Sequence, residues 1–336
     1  MLTMNETSNA DLEHPYNALT PDVILDSLES IGMQCDGRFL ALNSYENRVY
    51  QVGLEDAEPV VVKFYRPERW SDEAINEEHQ FVSALAQLDI PVVAPLRVND
   101  KQLLNHAGFR FAVYPRRGGR APELDNDDNL RWMGRFLARI HSLGRAKSFQ
   151  YRPSLTVENF GWESREFLLQ HAFIPSELRP SYESASNMLL RALDERFPKN
   201  SGGFIRLHGD CHPGNVLWTD HGPHFVDFDD ARMGPPIQDV WMLLSGDREE
   251  MTHQFSVIME GYSEFSVFDA STLHLIEVLR SLRMLHYSAW LARRWQDPAF
   301  PANFPWFNSP RYWEEHILSL KEQIAAVQEE PLFWYG

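Results

Sequence analysis

Cysteine is scarce in this chain of 336 residues: only Cys35 and Cys211 occur, which excludes a disulfide framework and leads to the expectation of a reducing compartment. No apolar run approaches the roughly 20 residues of a membrane span. The polar, acidic start lacks the basic and apolar stretches of a signal peptide, so a cytoplasmic location is expected. Basic residues are also short, 31 Lys and Arg against 48 Asp and Glu, for a formal net charge of −17. That balance argues against nucleic acid or an anionic membrane as the main partner. Internal repeats and low-complexity tracts are absent.

What is present is a globular composition, 43% hydrophobic and 12% aromatic, in a length that suits one large domain or two lobes. The first sixteen residues read as a flexible tail (1–16). Thr20-Pro21 reads as a helix cap followed by proline at the first helical position, opening a helix to Ile31. Three strand-like runs follow, Arg38–Leu42, Arg48–Val52 and Pro59–Tyr65, separated by turn residues and predicting an antiparallel meander. Ser71-Asp72 caps a predicted helix reaching Leu88, and two further strands are expected at Gln102–Leu104 and Phe109–Tyr114. Residues 17–115 thus form a β-rich lobe, 116–128 a hinge, and 129–336 a mainly helical lobe, with helices at 177–196, 238–244, 254–262, 272–294 and 314–328.

The chemistry concentrates in Leu207–Leu217, followed by Asp227-Phe228-Asp229. An acid, an amide and a second acid surround one strand–turn–strand unit. Phosphoryl transfer needs such a set, one carboxylate to orient a hydroxyl and an Asn plus another carboxylate to hold magnesium. If Val216–Trp218 and Phe225-Val226 pair around Asp220-His221-Gly222, Asn215 and Asp227 lie at one end of a hairpin and can share a cation. A transition-metal site built from His208, Asp210, Cys211 and His212 is the weaker alternative, because no second ligand cluster follows.

The run His208-x-Asp210-x-x-x-x-Asn215 and the later Asp227 resemble the catalytic loop and metal motif of the aminoglycoside phosphotransferase/choline kinase-like branch of the protein kinase superfamily. The resemblance implies an α+β, two-lobed kinase-like fold, with an antiparallel sheet plus helix in the N-lobe and a mainly helical C-lobe. It implies Asp210 as catalytic base, Asn215 and Asp227 as magnesium ligands, and ATP as co-substrate. Lys63, at the end of Val60-Val61-Val62, matches the lysine that contacts the α- and β-phosphates, and Glu78 matches its helix partner, with Glu77 as the alternative. Asp229 is a further candidate acid, and Asp239, in Gly234-Pro235-Pro236-Ile237-Gln238-Asp239, is assigned to bracing the catalytic loop. The loop Asn43–Asn47, which is not glycine-rich, is expected to cover the phosphates with Ser44, and the backbone around Tyr114 to meet adenine. Cys211 beside the base is a candidate for modification. Arg116, Arg117 and Arg120 are read as balancing nearby acids, and Trp290, Trp295, Trp306 and Trp313 as core.

Longer stretches, Leu42–Tyr50, Val62–Trp70, Leu207–Asn215 and Asp297–Phe300-Pro301, are similar to the bacterial stress response kinase A family. That similarity implies a cytoplasmic, ATP- and magnesium-dependent serine/threonine protein kinase that autophosphorylates and serves stress survival; a monomer is expected. The interval from Asp227 to Asp239 is short, no Ala-Pro-Glu follows, and His-Gly-Asp stands where His-Arg-Asp would read an activation-loop phosphate. A small-alcohol kinase of the choline, homoserine or aminoglycoside type is therefore the second reading. A nucleotide-binding pseudokinase scaffold is the third.

Overall fold

The computed structural model describes residues 14–199 and 202–334. Thr20 caps α1 (Pro21–Glu29), its hydroxyl accepting from the Val23 amide, with Pro21 in the first turn. Strands β1 (Cys35–Ala41), β2 (Arg48–Leu54) and β3 (Val60–Phe64) then form the expected antiparallel meander. Ser71 caps α2 (Asp72–Gln87), and β4 (Leu104–His106) and β5 (Phe109–Pro115) complete a five-stranded sheet in the order β1-β2-β3-β5-β4. The register sets Lys63 opposite Val49 and Ala112. The fourth strand begins at Leu104, where the sequence reading had it end.

The helical part opens with α3 (Asp127–Arg145), whose Asn126 cap accepts from the amides of Asp128 and Asn129. The connector therefore ends at Asn126 instead of residue 128. It is pinned midway, because the amide and carbonyl of Arg120 pair with those of Trp218. A π-helical turn (Glu158–Trp162) leads into α4 (Glu163–Gln170), both in a stretch where sequence periodicity predicts nothing, and α5 (Arg179–Arg196) follows. Four short strands carry the chemical motifs: β6 (Ile205–Leu207), β7 (Val216–Thr219), β8 (Gly222–Phe225) and β9 (Arg232–Gly234). Helices α6 (Ile237–Trp241), α7 (Arg248–Tyr262), α8 (Leu275–Arg293), α9 (Ala299–Asn303) and α10 (Pro310–Ala326) complete the lobe. The last begins four residues earlier than expected, since Pro310 sits in the first turn behind the Ser309 cap. The result is the α+β, two-lobed architecture.

One correction concerns the tail. The tail expected over 1–16 lies outside the described residues as far as residue 13. Its last residue, Tyr16, is buried, with its hydroxyl donating to the Phe64 carbonyl at 3.2 Å and its ring under Arg48 and Arg66. The apolar face of α2 is divided between the lobes, Ile75 packing with Tyr65 and Ala112 of the N-lobe. Phe81, Val82 and Leu85 join the C-lobe cluster, Phe81 meeting Phe149 and Phe228 edge-on at 5.6 and 6.1 Å. The N-lobe core proper is Ile24, Leu28 and the inward residues of β2, β3 and β5. Among the described residues no helix is long and apolar enough to cross a membrane.

Helices α3 and α7 approach so closely that a Cβ on Gly134 would lie 1.9 Å from the Ile258 carbonyl oxygen, and one on Gly261 2.1 Å from that of Arg131. Gly134→Ala should force the pair apart and cost about 1–3 kcal/mol, read as a lowered urea midpoint with unchanged slope.

Candidate active site

Between the lobes lies a cavity of about 280 Å³. Ser44, Lys63, Glu78, Tyr114, Asn215 and Asp227, scattered through the sequence, all line it. Ser44 lies in the loop between β1 and β2, Lys63 on β3, Glu78 on α2 and Tyr114 on β5, where it faces Val61 across the sheet. The Tyr114 hydroxyl pairs with that of Tyr65 at 3.0 Å, which in turn meets His79 Nε2 at 2.6 Å.

The catalytic loop is built by backbone constraint. Strand β6 pairs with β9, setting Leu207 opposite Arg232, and the chain then turns at Gly209 with φ +86°. A Cβ there would lie 2.2 Å from the Asp230 carbonyl oxygen, so the arginine of the protein-kinase loop has no room. Asp239 accepts the amides of His208 and Gly209, each at 2.8 Å, and meets His141 Nε2 at 3.3 Å. Burial pushes that carboxyl upward, but His141, His208 and the Gly209 amide outweigh it and hold it below the usual range. The bracing expected of Asp239 is what its contacts describe. His208 Nε2 meets the Val226 carbonyl at 2.8 Å, tying the loop to the strand that delivers Asp227.

Hairpin β7–β8 pairs Val216 with Phe225, and the Val226 amide donates to the Asn215 carbonyl at 3.0 Å. Asn215 and Asp227 thus emerge at one end. Asn215 Nδ2 donates to the Asp210 carbonyl at 2.9 Å, leaving Oδ1 as the outward donor atom. Asp227 adopts a left-handed conformation, φ 59°, which aspartate tolerates, and its side chain is 48% exposed in an otherwise buried turn. One carboxylate and one amide oxygen are the hard ligands magnesium takes from protein when phosphates and water supply the rest, so these residues fit that ion. Among the described residues no group of three or more His, Cys, Asp or Glu converges as a metal cluster. His208 is committed to Val226, and burial pushes the Cys211 thiol well up, so the transition-metal site and a reactive Cys211 both lose their footing.

Lysine pairing differs from expectation. Lys63 Nζ lies 2.9 Å from Asp227 Oδ1 and 3.2 Å from Asp229 Oδ1. Burial works against the ammonium, but the neighbouring acids outweigh it and raise its pKa well above the ordinary value. Glu78 pairs instead with Arg152, Oε2 to guanidinium 3.0 Å. Glu77, one residue and about 100° around the helix, accepts the amides of Gln150, Tyr151 and Arg152. Neither glutamate is the lysine's ion-pair partner.

Arg152, fully buried, also donates to the carbonyls of Ala74, Asp229 and Ala231. Arg69 pairs with Asp229 and Asp230, and Arg283 of α8 with Asp210 Oδ1 at 2.5 Å. These three arginines escaped the sequence reading. Arg69 lies in the family-like run Val62–Trp70 and Arg283 in an amphipathic helix, where each gave a usable signal. Arg152 gave none. Arg116 pairs with Gln51 and Arg120 with Glu123, outside the chemistry.

A two-lobed fold with a lysine, two aspartates and an asparagine around its cleft defines a kinase-like phosphotransferase. Residues 38–276 match the phosphotransferase enzyme family, and the chain belongs to that family. Stress response kinase A of Escherichia coli K12 is 47% identical over 317 residues, covering 94% of this chain and 96% of that protein. Serine/threonine protein kinase RdoA of Salmonella typhimurium is 46% identical over the same 94% and 96%. Such identity places the chain with the stress response kinases. An amicoumacin kinase structure has a TM-score of 0.68 at 20% identity, covering 89% of this chain and 93% of that one. For a spectinomycin phosphotransferase the values are 0.64, 15%, 91% and 97%. These two share the fold.

Burial raises Glu78 to about 7 despite Lys63 and Arg152. Between its ordinary value of 4.5 and about 7 the folded chain keeps a proton that the unfolded chain has released. The contribution of Glu78 to stability should therefore fall as pH rises through that window, against the opposite trend from His79, His286 and His316, which burial holds below the ordinary histidine value. Urea titrations of Glu78→Gln across the same window should lack this loss.

Proposed function

We propose that this chain transfers the γ-phosphoryl group of magnesium-ATP to serine and threonine hydroxyls of proteins, its own included, in a cytoplasmic stress response. The observation that carries the reading is the convergence of Lys63, Asn215 and Asp227 on one cleft with Asp210 beside it. The protein acceptor is supported by 46% identity to a relative named as a serine/threonine protein kinase.

In this reading Lys63 exchanges one of its acids for the α- and β-phosphates, while Ser44 covers them from the β1–β2 loop. Asn215 and Asp227 would hold magnesium, which supplies charge neutralisation between the β- and γ-phosphates when bound. Asp210 accepts a hydrogen bond from the acceptor hydroxyl once Arg283 yields Oδ1. The hydroxyl oxygen bonds to phosphorus, the bond to the ADP oxygen breaks, and the proton passes late to Asp210. The adenine lies against β5 near Tyr114.

A small alcohol as acceptor is the second reading. It is favoured by the interval between Asp227 and α6, which holds only a 3-10 turn and the three-residue β9 and offers no segment for docking a peptide. Asp210→Ala should lower transfer by about 10²–10⁴-fold with nucleotide binding nearly intact. Asp227→Asn should weaken magnesium-nucleotide binding as well as rate, measured by titration and initial velocities. Labelled ATP offered to protein acceptors and to a panel of small alcohols tests the acceptor; label only on small molecules overturns the protein-kinase reading.

A further inference from the structure

The loop over the proposed phosphate site contains no glycine, yet it is held more tightly than a glycine-rich flap could be. Tyr45 packs edge-on against Phe304 at 4.9 Å. The Glu46 carboxylate accepts from Trp290 Nε1 at 2.5 Å and lies 2.5 Å from Arg294 Nε, both at the end of α8, and 3.1 Å from Arg66 Nε. Asn47, buried, accepts the Arg66 amide at 3.0 Å. Arg48 reaches both oxygens of Asp297 at 2.9 Å, and Arg66 reaches Asp297 Oδ2 at 2.6 Å. Glu46 of the N-lobe thus meets Arg294 and Trp290 of the C-lobe, and Asp297 of the C-lobe meets Arg48 and Arg66 of the N-lobe. The Glu46 and Asp297 side chains are 12% and 2% exposed. The segments Leu42–Tyr50 and Asp297–Pro301, far apart in sequence and both family-like, are two halves of one device.

We propose that Glu46 and Asp297 are positioning residues that latch the phosphate-covering loop to the C-terminal lobe. This rests on the kinase reading above. Lifting the loop would take Glu46 from Trp290 and Arg294 and leave Asp297 with Arg66 but without Arg48, and loss of partners by largely buried charges is disfavoured. The latch fixes Ser44 relative to Asn215 and Asp227, which sit on the lobe that receives the loop. The loop contacts nucleotide and not acceptor, so loosening it should weaken nucleotide binding more than it slows transfer.

The test uses the full chain with Asp297→Asn, Asp297→Glu and the milder Trp290→Phe, which removes only a donor to Glu46. Three measurements are made: affinity for a fluorescent ATP analogue with magnesium, the kcat and KM for ATP, and amide exchange of residues 43–48. We expect KM and analogue Kd to rise together, about tenfold in Asp297→Asn and about threefold in Trp290→Phe, with kcat within about twofold. Exchange at 43–48 should quicken in both, while β6–β9 stay protected, and Asp297→Glu should recover part of the affinity. Unchanged KM, or a fall in kcat and melting temperature alone, overturns the latch. If Asp297→Asn does not fold, Trp290→Phe decides. A wild-type chain that binds no analogue overturns the kinase reading instead; the latch is then judged by exchange, and unchanged protection at 43–48 overturns it.

Discussion

Asp229 is the residue on which the seam between the lobes turns. Its side chain is 4% exposed, and one oxygen meets Lys63 while the other meets Arg69. Its carbonyl receives Arg152. Burial would push such a carboxyl up; Arg69 and Lys63 hold it down at about 2. Two cations, from β3 and from the β3–α2 connection, thus share the Asp229 carboxylate, while Arg152 of the α3–α4 connection holds its main-chain carbonyl. Such buried pairs add little net stability over apolar packing, but removing one partner leaves an uncompensated charge. Their value here is registry, since this arrangement of the segments gives each of the buried charges a partner.

The same seam fixes α2. In a kinase whose activity is switched by that helix, the glutamate–lysine pair must form and break. Here Glu78 is bound to Arg152, and Phe81 is buried among Phe149 and Phe228 of the opposite lobe. An outward swing would open a cavity in the C-lobe core and strand Glu78 together. Phe and Leu truncations in cores cost several kcal/mol, more than a modest effector can supply. Together with the absence of any long segment between Asp227 and α6, this makes the cleft geometry a property of the folded chain.

What was legible in the sequence was local. Asp210, Asn215 and Asp227 are spaced by one turn and one hairpin, and turn chemistry alone brings them together. The strands β1 to β3 and the capped α2 follow from patterning of the same short range. The Lys63 partner was not legible, because Arg152 reaches Glu78 across 74 positions from a stretch without periodicity. Tyr16 failed differently: one aromatic in a polar run offers no period, and its burial is decided by β3 and by two arginines. The final helix was expected only from residue 314, although Pro310 behind the Ser309 cap already begins it.

Charge balance links these facts to catalysis. Lys63 is already neutralised by Asp227 and Asp229, and Arg69 and Arg152 are spent on Asp229, Asp230 and Glu78. Of the two basic side chains that line the cleft, Lys63 is held by these acids and Arg117 is exposed to solvent. Under the proposed reading a magnesium ion would offset phosphate charge here, and Asp227, half exposed beside the buried Phe228 and Asp229, is the acid placed to take it in exchange for Lys63. Under that reading, the departure from the lysine–glutamate pairing and a dependence on a divalent ion would share one electrostatic cause. Because the lysine starts out held by the motif acids, it can move toward phosphate only as a cation relieves Asp227 of its place.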